Sequence, residues 1–133
     1  MPHSLRATHR KQTKGKNMTD KSKRIAQQND AFRSQTAMAI AYGIEGQIVH
    51  TASLSQYNAE EMSLIAMLVQ TYDTFNENND PYGEHDFGSF TFKDKKFFWK
   101  IDYYDCKYEY GSSDPADPKI TRRVLTIMHA EDY

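Results

Sequence analysis

The apolar pattern is clearest between residues 59 and 75. Met62, Ile65, Ala66, Val69, Tyr72 and Phe75 recur at three- and four-residue intervals and form one stripe, which Leu64, Met67 and Leu68 broaden. Asn58 stands ahead of it with Glu61 three residues on, a capping-box pattern, and Glu60 and Glu61 suit the positive end of a helix dipole. The spacing predicts a helix over 59–75 that covers a sheet face. It ends in Asn76-Glu77-Asn78-Asn79-Asp80-Pro81, where turn formers collect and Pro81 forbids continuation.

The pattern then changes to period two. Residues 87–92 alternate around Phe90 and Phe92. Residues 97–104 place Phe97, Trp99, Ile101 and Tyr103 on one face and Phe98, Lys100, Asp102 and Tyr104 on the other. Lys93-Asp94-Lys95-Lys96 between them suits a hairpin turn, although it lacks the Asn-Gly signal. Gln47–Ala52 and Thr121–His129 are rich in β-branched residues and read as strands, with a short helix as the competing reading of the second.

Residues 19–35 are predicted helical, capped by Thr19 or Asp20. Of Ile25, Gln28, Asn29 and Phe32 at helical spacing only two are apolar, which predicts a lightly packed helix. Residues 37–46 (AMAIAYGIEG) are too short to assign between strand and helix. The order α-β-α-β-β-β points to the α+β class: a single domain at 19–133 with a small antiparallel sheet of about four strands, covered on one face by helices.

Composition adds an asymmetry. Residues 1–18 carry five basic side chains and no acid, have almost no apolar content and read as a disordered basic arm, with Met18 as an alternative start to Met1. Residues 19–133 carry 12 basic and 18 acidic side chains, a net of −6. An acidic body argues against broad nucleic-acid binding, which leaves the arm as a weak contact for nucleic acid or an acidic partner. Cys106 is the one cysteine, so there is no intramolecular disulfide. There is no 18-residue apolar run for a membrane span and no secretory h-region after the basic start, so the expected location is the cytoplasm.

Polar chemistry concentrates in Asn79–Gly88 (NDPYGEHDFG), which holds three carboxylates, an imidazole and a phenol. Two blocks follow it, FWKIDYYD at 98–105 and SSDPADP at 112–118, then TRRVLTIMHAEDY at 121–133, with Asn29-Asp30-Ala31-Phe32-Arg33 upstream. In these blocks and their spacing the chain resembles a family of small bacterial proteins classed as a domain of unknown function, over about residues 24–133. The resemblance implies an accessory gene of a plasmid, phage or other mobile element, and it carries no activity, cofactor or catalytic residue with it. The chain departs from the family at residues 36–46, where relatives have a short glycine-rich link.

Two function classes follow. In the first the protein is a non-enzymatic interaction module that docks on an unidentified protein partner through Tyr82, Glu84, His85, Asp86, Asp102 and Tyr104, in the setting of a mobile-element accessory or anti-defence factor. Exposed tyrosines suit such interfaces. In the second it is a metal-assisted hydrolase or nuclease-like enzyme. His85, Glu84 and Asp86 would then be the catalytic candidates, and Asp80, Glu84, Asp86 and Asp102 oxygen donors to a hard cation. Alternation in an extended chain sends His85 away from Glu84 and Asp86, and no second histidine stands at zinc-ligand spacing, so no cofactor or metal is assigned. The structural alternative makes 79–88 a hydrogen-bonded loop that pins helix to hairpin. Asp114 and Asp117, each before a proline, read as turn devices. Arg122 and Arg123 could clamp an anion or pair with an acid such as Asp117. No P-loop, GxGxxG, GxSxG or HExxH pattern is present.

Overall fold

The computed structural model describes residues 19–133; the predicted basic arm lies outside the described residues. Helix α1 spans Asp20–Ser34, with Thr19 as N-cap accepting from the Ser22 N–H at 2.9 Å. A short α2, Ala37–Tyr42, follows and ends at Gly43 in the left-handed region, φ 72°. Strand β1, Glu45–His50, leads through a 3-10 turn at Ala52–Gln56 into α3, Ala59–Gln70. The predicted capping box is present: Asn58 accepts from the Glu61 N–H and Glu61 from the Asn58 N–H. Strands β2 (Phe87–Phe92), β3 (Lys95–Tyr104) and β4 (Arg122–His129) complete the chain, with a last 3-10 turn at Ala130–Asp132.

The four strands form one sheet in the order β1-β4-β3-β2. The β2–β3 and β3–β4 pairs are antiparallel, but β1 runs parallel to β4 from Glu45↔Arg122 to His50↔Ile127. The sheet is therefore mixed rather than antiparallel. Tight turns dictate antiparallel pairing only between strands adjacent in sequence. No such turn links β1 to β4, and β1 meets the free edge of β4 from the far end of the chain.

One face carries the core. Phe97, Trp99, Ile101 and Tyr103 of β3 and Leu125 and Ile127 of β4 are buried against Ile25 and Phe32 of α1, Leu54, and Ile65 and Val69 of α3. Gly88 is dictated by this packing, because a Cβ there would lie 2.4 Å from Trp99 Nε1. The hairpin turn is the two-residue Lys93-Asp94, both left-handed at φ 51° and 65°, the type I′ pattern that matches strand twist. Lys93 also pairs with Glu61 at the start of α3.

Three expectations change. Helix α3 stops at Gln70, five residues short of the predicted end. Tyr72 and Phe75 reach the core from the segment beyond the helix and stack edge-on against each other and Trp99. Residues 37–46 resolve as a helical turn followed by the start of β1. Helix α1, predicted to pack lightly, is deeply buried, and much of what it buries is polar: Gln28, Asn29 and Arg33.

Candidate functional site

Asn29 occupies the position between Ile25 and Phe32 on the buried stripe of α1, where an apolar residue is the rule. Burial obliges its amide to find partners. Its Nδ2 donates to Glu84 O at 2.9 Å and to the Tyr103 hydroxyl at 2.8 Å, and its Oδ1 accepts from Arg123 Nε at 2.6 Å. The Tyr103 hydroxyl in turn donates to Glu84 Oε1 at 3.1 Å. Arg123 is fully buried. It donates from Nη2 to Pro115 O at 2.9 Å and lies 5.1 Å over the Tyr103 ring. Desolvation pulls the Arg123 guanidinium below its ordinary pKa, against the opposing pull of Tyr103 and Glu84. One connected network thus joins α1, β3, β4 and two loops.

Arg33, one turn beyond Asn29, closes a second set. Its Nε donates to Val69 O at 3.0 Å, which also accepts from the Tyr72 N–H at 3.3 Å, and its Nη2 donates to Tyr72 O at 2.9 Å just beyond the end of α3. Its guanidinium stacks over Trp99 at 5.0 Å and Phe75 at 5.4 Å, and Nη1 meets Asp30 Oδ1 at 3.0 Å. Asp30 is shared with His85, whose Nδ1 lies 3.0 Å from both carboxylate oxygens. A carboxylate only accepts, so Nδ1 carries the proton and Nε2 faces the other way. Nε2 stands 3.6 Å from Asp80 Oδ2, outside hydrogen-bond range. The ring lies flat on Phe75, with centroids 4.0 Å apart and planes at 2°.

The His85 backbone is left-handed at φ 58°, a conformation disfavoured for a residue with a Cβ. The Asp80 carboxylate holds it there by accepting from the His85 N–H at 3.1 Å. The two acids around His85 are tuned in opposite senses. Burial pushes Asp30 up, but the hydrogen bond and charge of His85, together with Arg33, outweigh it and leave the carboxyl below its ordinary value. Burial, with the charge of Asp86, pushes Asp80 above its ordinary value against the pull of His85. A cleft of about 230 Å³ opens beside them, lined by Phe75, Asn76, Glu77, Asp80, Pro81, Gly83 and His85.

The residues singled out in the sequence divide accordingly. Glu84 is 3% exposed and bonded to Tyr103, so it offers little to a docking surface. Asp102 is 8% exposed and bridges to Lys100 at 2.8 Å on the face away from the core. Tyr82, His85, Asp86 and Tyr104 are half-buried. Among the described residues no group of three or more His, Cys, Asp or Glu is arranged to hold a metal ion, and Asp80, Glu84, Asp86 and Asp102 form no such group. Asp114 and Asp117 accept from the Ala116 and Lys119 N–H groups, as turn devices do. Arg122 pairs with Glu45 at 3.4 Å rather than with Asp117.

A second region has the opposite character. Helix α2 is AMAIAY and buries no residue, and every residue of β1 is exposed. Ile40 is 84% exposed, with Met38, Tyr42, Ile48 and Tyr108 open beside it. Between them lies a cleft of about 580 Å³ lined by Phe32, Ala39, Ile40, Ile44, Ile48 and Tyr108, among others. The sequence left 37–46 unassigned and gave it no functional weight; its six-residue apolar run without a charge was the signal.

A family model described as "Protein of unknown function (DUF3768)" matches residues 50–132. No curated protein matches the chain, and no solved structure matches it. Among the described residues no helix is long and apolar enough to cross a membrane. The matched segment takes in α3 and β2–β4, and the chain belongs to that family.

Proposed function

We propose that this member of the DUF3768 family is a protein-interaction module whose working surface is the α2–β1 edge. One observation carries the reading: an uncharged apolar helix with no buried residue lies beside an edge strand with no buried residue. Edge strands of monomeric proteins are commonly guarded by lysine, proline or a bulge, and β1 (EGQIVH) has neither lysine nor proline. Addition of a strand to such an edge gives affinity through the backbone, and an adjoining groove gives selectivity through side chains. Loop 79–88 has a supporting role here, because His85, Glu84 and Asp80 are held by partners within the fold. An accessory role on a mobile element, including interference with a host defence protein, suits a module that works by occupying another protein's surface; its support is the sequence resemblance.

The test is capture by the immobilised full chain, with Ile40→Glu/Ile48→Lys as the edge variant and Tyr82→Ala as the loop variant. A partner retained by the loop variant and lost by the edge variant is the expected result. Retention by the edge variant with loss in the loop variant would return the working surface to 79–88.

A second reading rests on the Asp30–His85 pair at the rim of the smaller cleft. A carboxylate that fixes the tautomer of an imidazole is the arrangement acid–base hydrolysis uses. A panel of ester and phosphodiester substrates, assayed with EDTA and with Mg²⁺ on wild type and His85→Asn, tests it. Absence of turnover above the variant ends it.

A further inference from the structure

The direction in which β1 offers its backbone follows from one bond. Thr51 N–H donates to Ile127 O at 3.1 Å, so Thr51 faces β4. Both polar groups of a strand residue point to the same side, and sides alternate along the strand. Glu45, Gln47 and Val49 therefore bond to β4, and Gly46, Ile48 and His50 turn their N–H and C=O groups away from the sheet. No strand among the described residues pairs with that side.

We infer that the occupant of this edge is a second copy of the chain, added antiparallel about a two-fold axis through Ile48. The proposal rests on the reading of the α2–β1 edge as an interface and names what fills it. Antiparallel pairing requires outward-facing residues to meet outward-facing residues. The register that centres the strand on itself sets Ile48 against Ile48 and Gly46 against His50 of the second copy, all outward-facing. It forms about six backbone hydrogen bonds and one eight-stranded sheet. Gly46 leaves room for the opposing imidazole, and nothing larger fits there, since a Cβ would lie 2.0 Å from Arg123 O.

Side chains agree with the backbone. Positions 44, 46 and 48 face the helix layer, so the two Ile48 side chains meet beside the clefts that Ile40 and Ile44 line. Met38, Ile40, Tyr42, Ile48 and Tyr108 expose on the order of 500 Å² per copy. The strand backbone, Gln47 and His50 bring the face toward the ~800 Å² per partner of a standard interface. Charge agrees as well. Residues 19–133 carry a net of −6, so a face poor in carboxylates is the one best suited to meet a second copy. On this edge the one carboxylate, Glu45, is already paired with Arg122. Two-fold self-pairing is the commonest form of oligomer and needs no second gene product.

The experiment is light scattering on the full chain between about 1 and about 100 μM, with amide exchange at β1. The wild type is expected to move from 15.5 kDa toward twice that mass, with Ile48 and His50 amides slowing as concentration rises. Ile48→Lys should stay at the lower mass. Ile48→Pro should too, since it removes an outward N–H and leaves the β4 ladder intact. Ile40→Glu, on α2 and outside the sheet, serves if either strand variant unfolds. A wild type at 15.5 kDa throughout overturns the proposal, as does a dimer that all three variants keep. A monomer whose partner capture is nevertheless lost in Ile40→Glu removes self-pairing alone; a monomer whose capture Ile40→Glu leaves unaffected removes the α2–β1 edge as the working surface too.

Discussion

The loop at 79–88 and the edge at 37–50 are built on opposite plans. In the loop nearly every polar group with chemical promise is engaged by another part of the fold: His85 by Asp30 and Phe75, Asp80 by the His85 N–H, Glu84 by Tyr103. At the edge every second residue of the strand turns its backbone groups outward, and side chains that water disfavours stay in water. The contrast separates residue type from availability. Carboxylates and imidazoles in a cluster look like a site until their partners are found. An apolar, uncharged stretch looks like core until it is found outside. Function is better sought where interactions are left open than where they are closed.

The most forceful way to break the comparison is to attack the closed region at its root. Arg123→Ala removes the buried cation and leaves Asn29 Oδ1 and Pro115 O unpaired. It should cost about 3–5 kcal/mol, read as a lowered urea midpoint with an unchanged slope. A cost below about 1 kcal/mol would mean the network is not structural, and the loop would return as a candidate site.

His85 gives a finer test. His85→Ala loses the Asp30 bond and the Phe75 stack and keeps a Cβ in the left-handed conformation, for about 1–3 kcal/mol. His85→Asn loses the same contacts, but asparagine tolerates that backbone, so it should cost about 1 kcal/mol less. Equal costs would show that strain at φ 58° contributes nothing.

The two acids beside His85 predict opposite pH effects. Asp30 titrates below its ordinary 3.8 in the fold, so its stabilisation is present above about that pH and is lost as pH falls through the folded value. Asp80 titrates above 3.8, so its stabilisation is present below that value and is lost as pH rises through the folded one. Measured against wild type, Asp80→Asn should therefore gain relative stability as pH rises from about 4, and Asp30→Asn should lose its disadvantage only below about 4. The same sign in both variants would contradict the geometry around the ring.

The fold was legible wherever one signal dominated locally. The period-two runs located β2 and β3, the capping box located the start of α3, and the β-branched run located β4, because each depends on neighbours in sequence. The hairpin turn is legible in position but not in chemistry, since Lys93-Asp94 adopts a type I′ turn without glycine. Asp94→Gly should add up to about 1 kcal/mol by relieving φ 65°. What was not legible depends on distant partners. The burial of α1 was missed because Gln28, Asn29 and Arg33 look solvated until the groups that receive their hydrogen bonds are known, 88, 55 and 36 residues away. Parallel pairing of β1 was missed for the same reason. At the candidate site, His85 was found but its partner Asp30 was not, although the NDAFR block that holds Asp30 had already stood out.

The smallest predicted effect sharpens the comparison most. Ile40→Glu puts a charge on the apolar edge, and burial at that position is slight, so the folding free energy measured at low concentration should change by no more than about 0.5 kcal/mol. An ordinary core isoleucine would cost several times that, as Ile65→Ala should, at about 2–5 kcal/mol. A near-silent Ile40→Glu in unfolding, paired with a lost association, assigns α2 to binding and not to folding. A destabilisation of about 2 kcal/mol or more in the monomer would show that α2 holds the fold together despite its exposure, and the apolar edge would then need no partner to explain it.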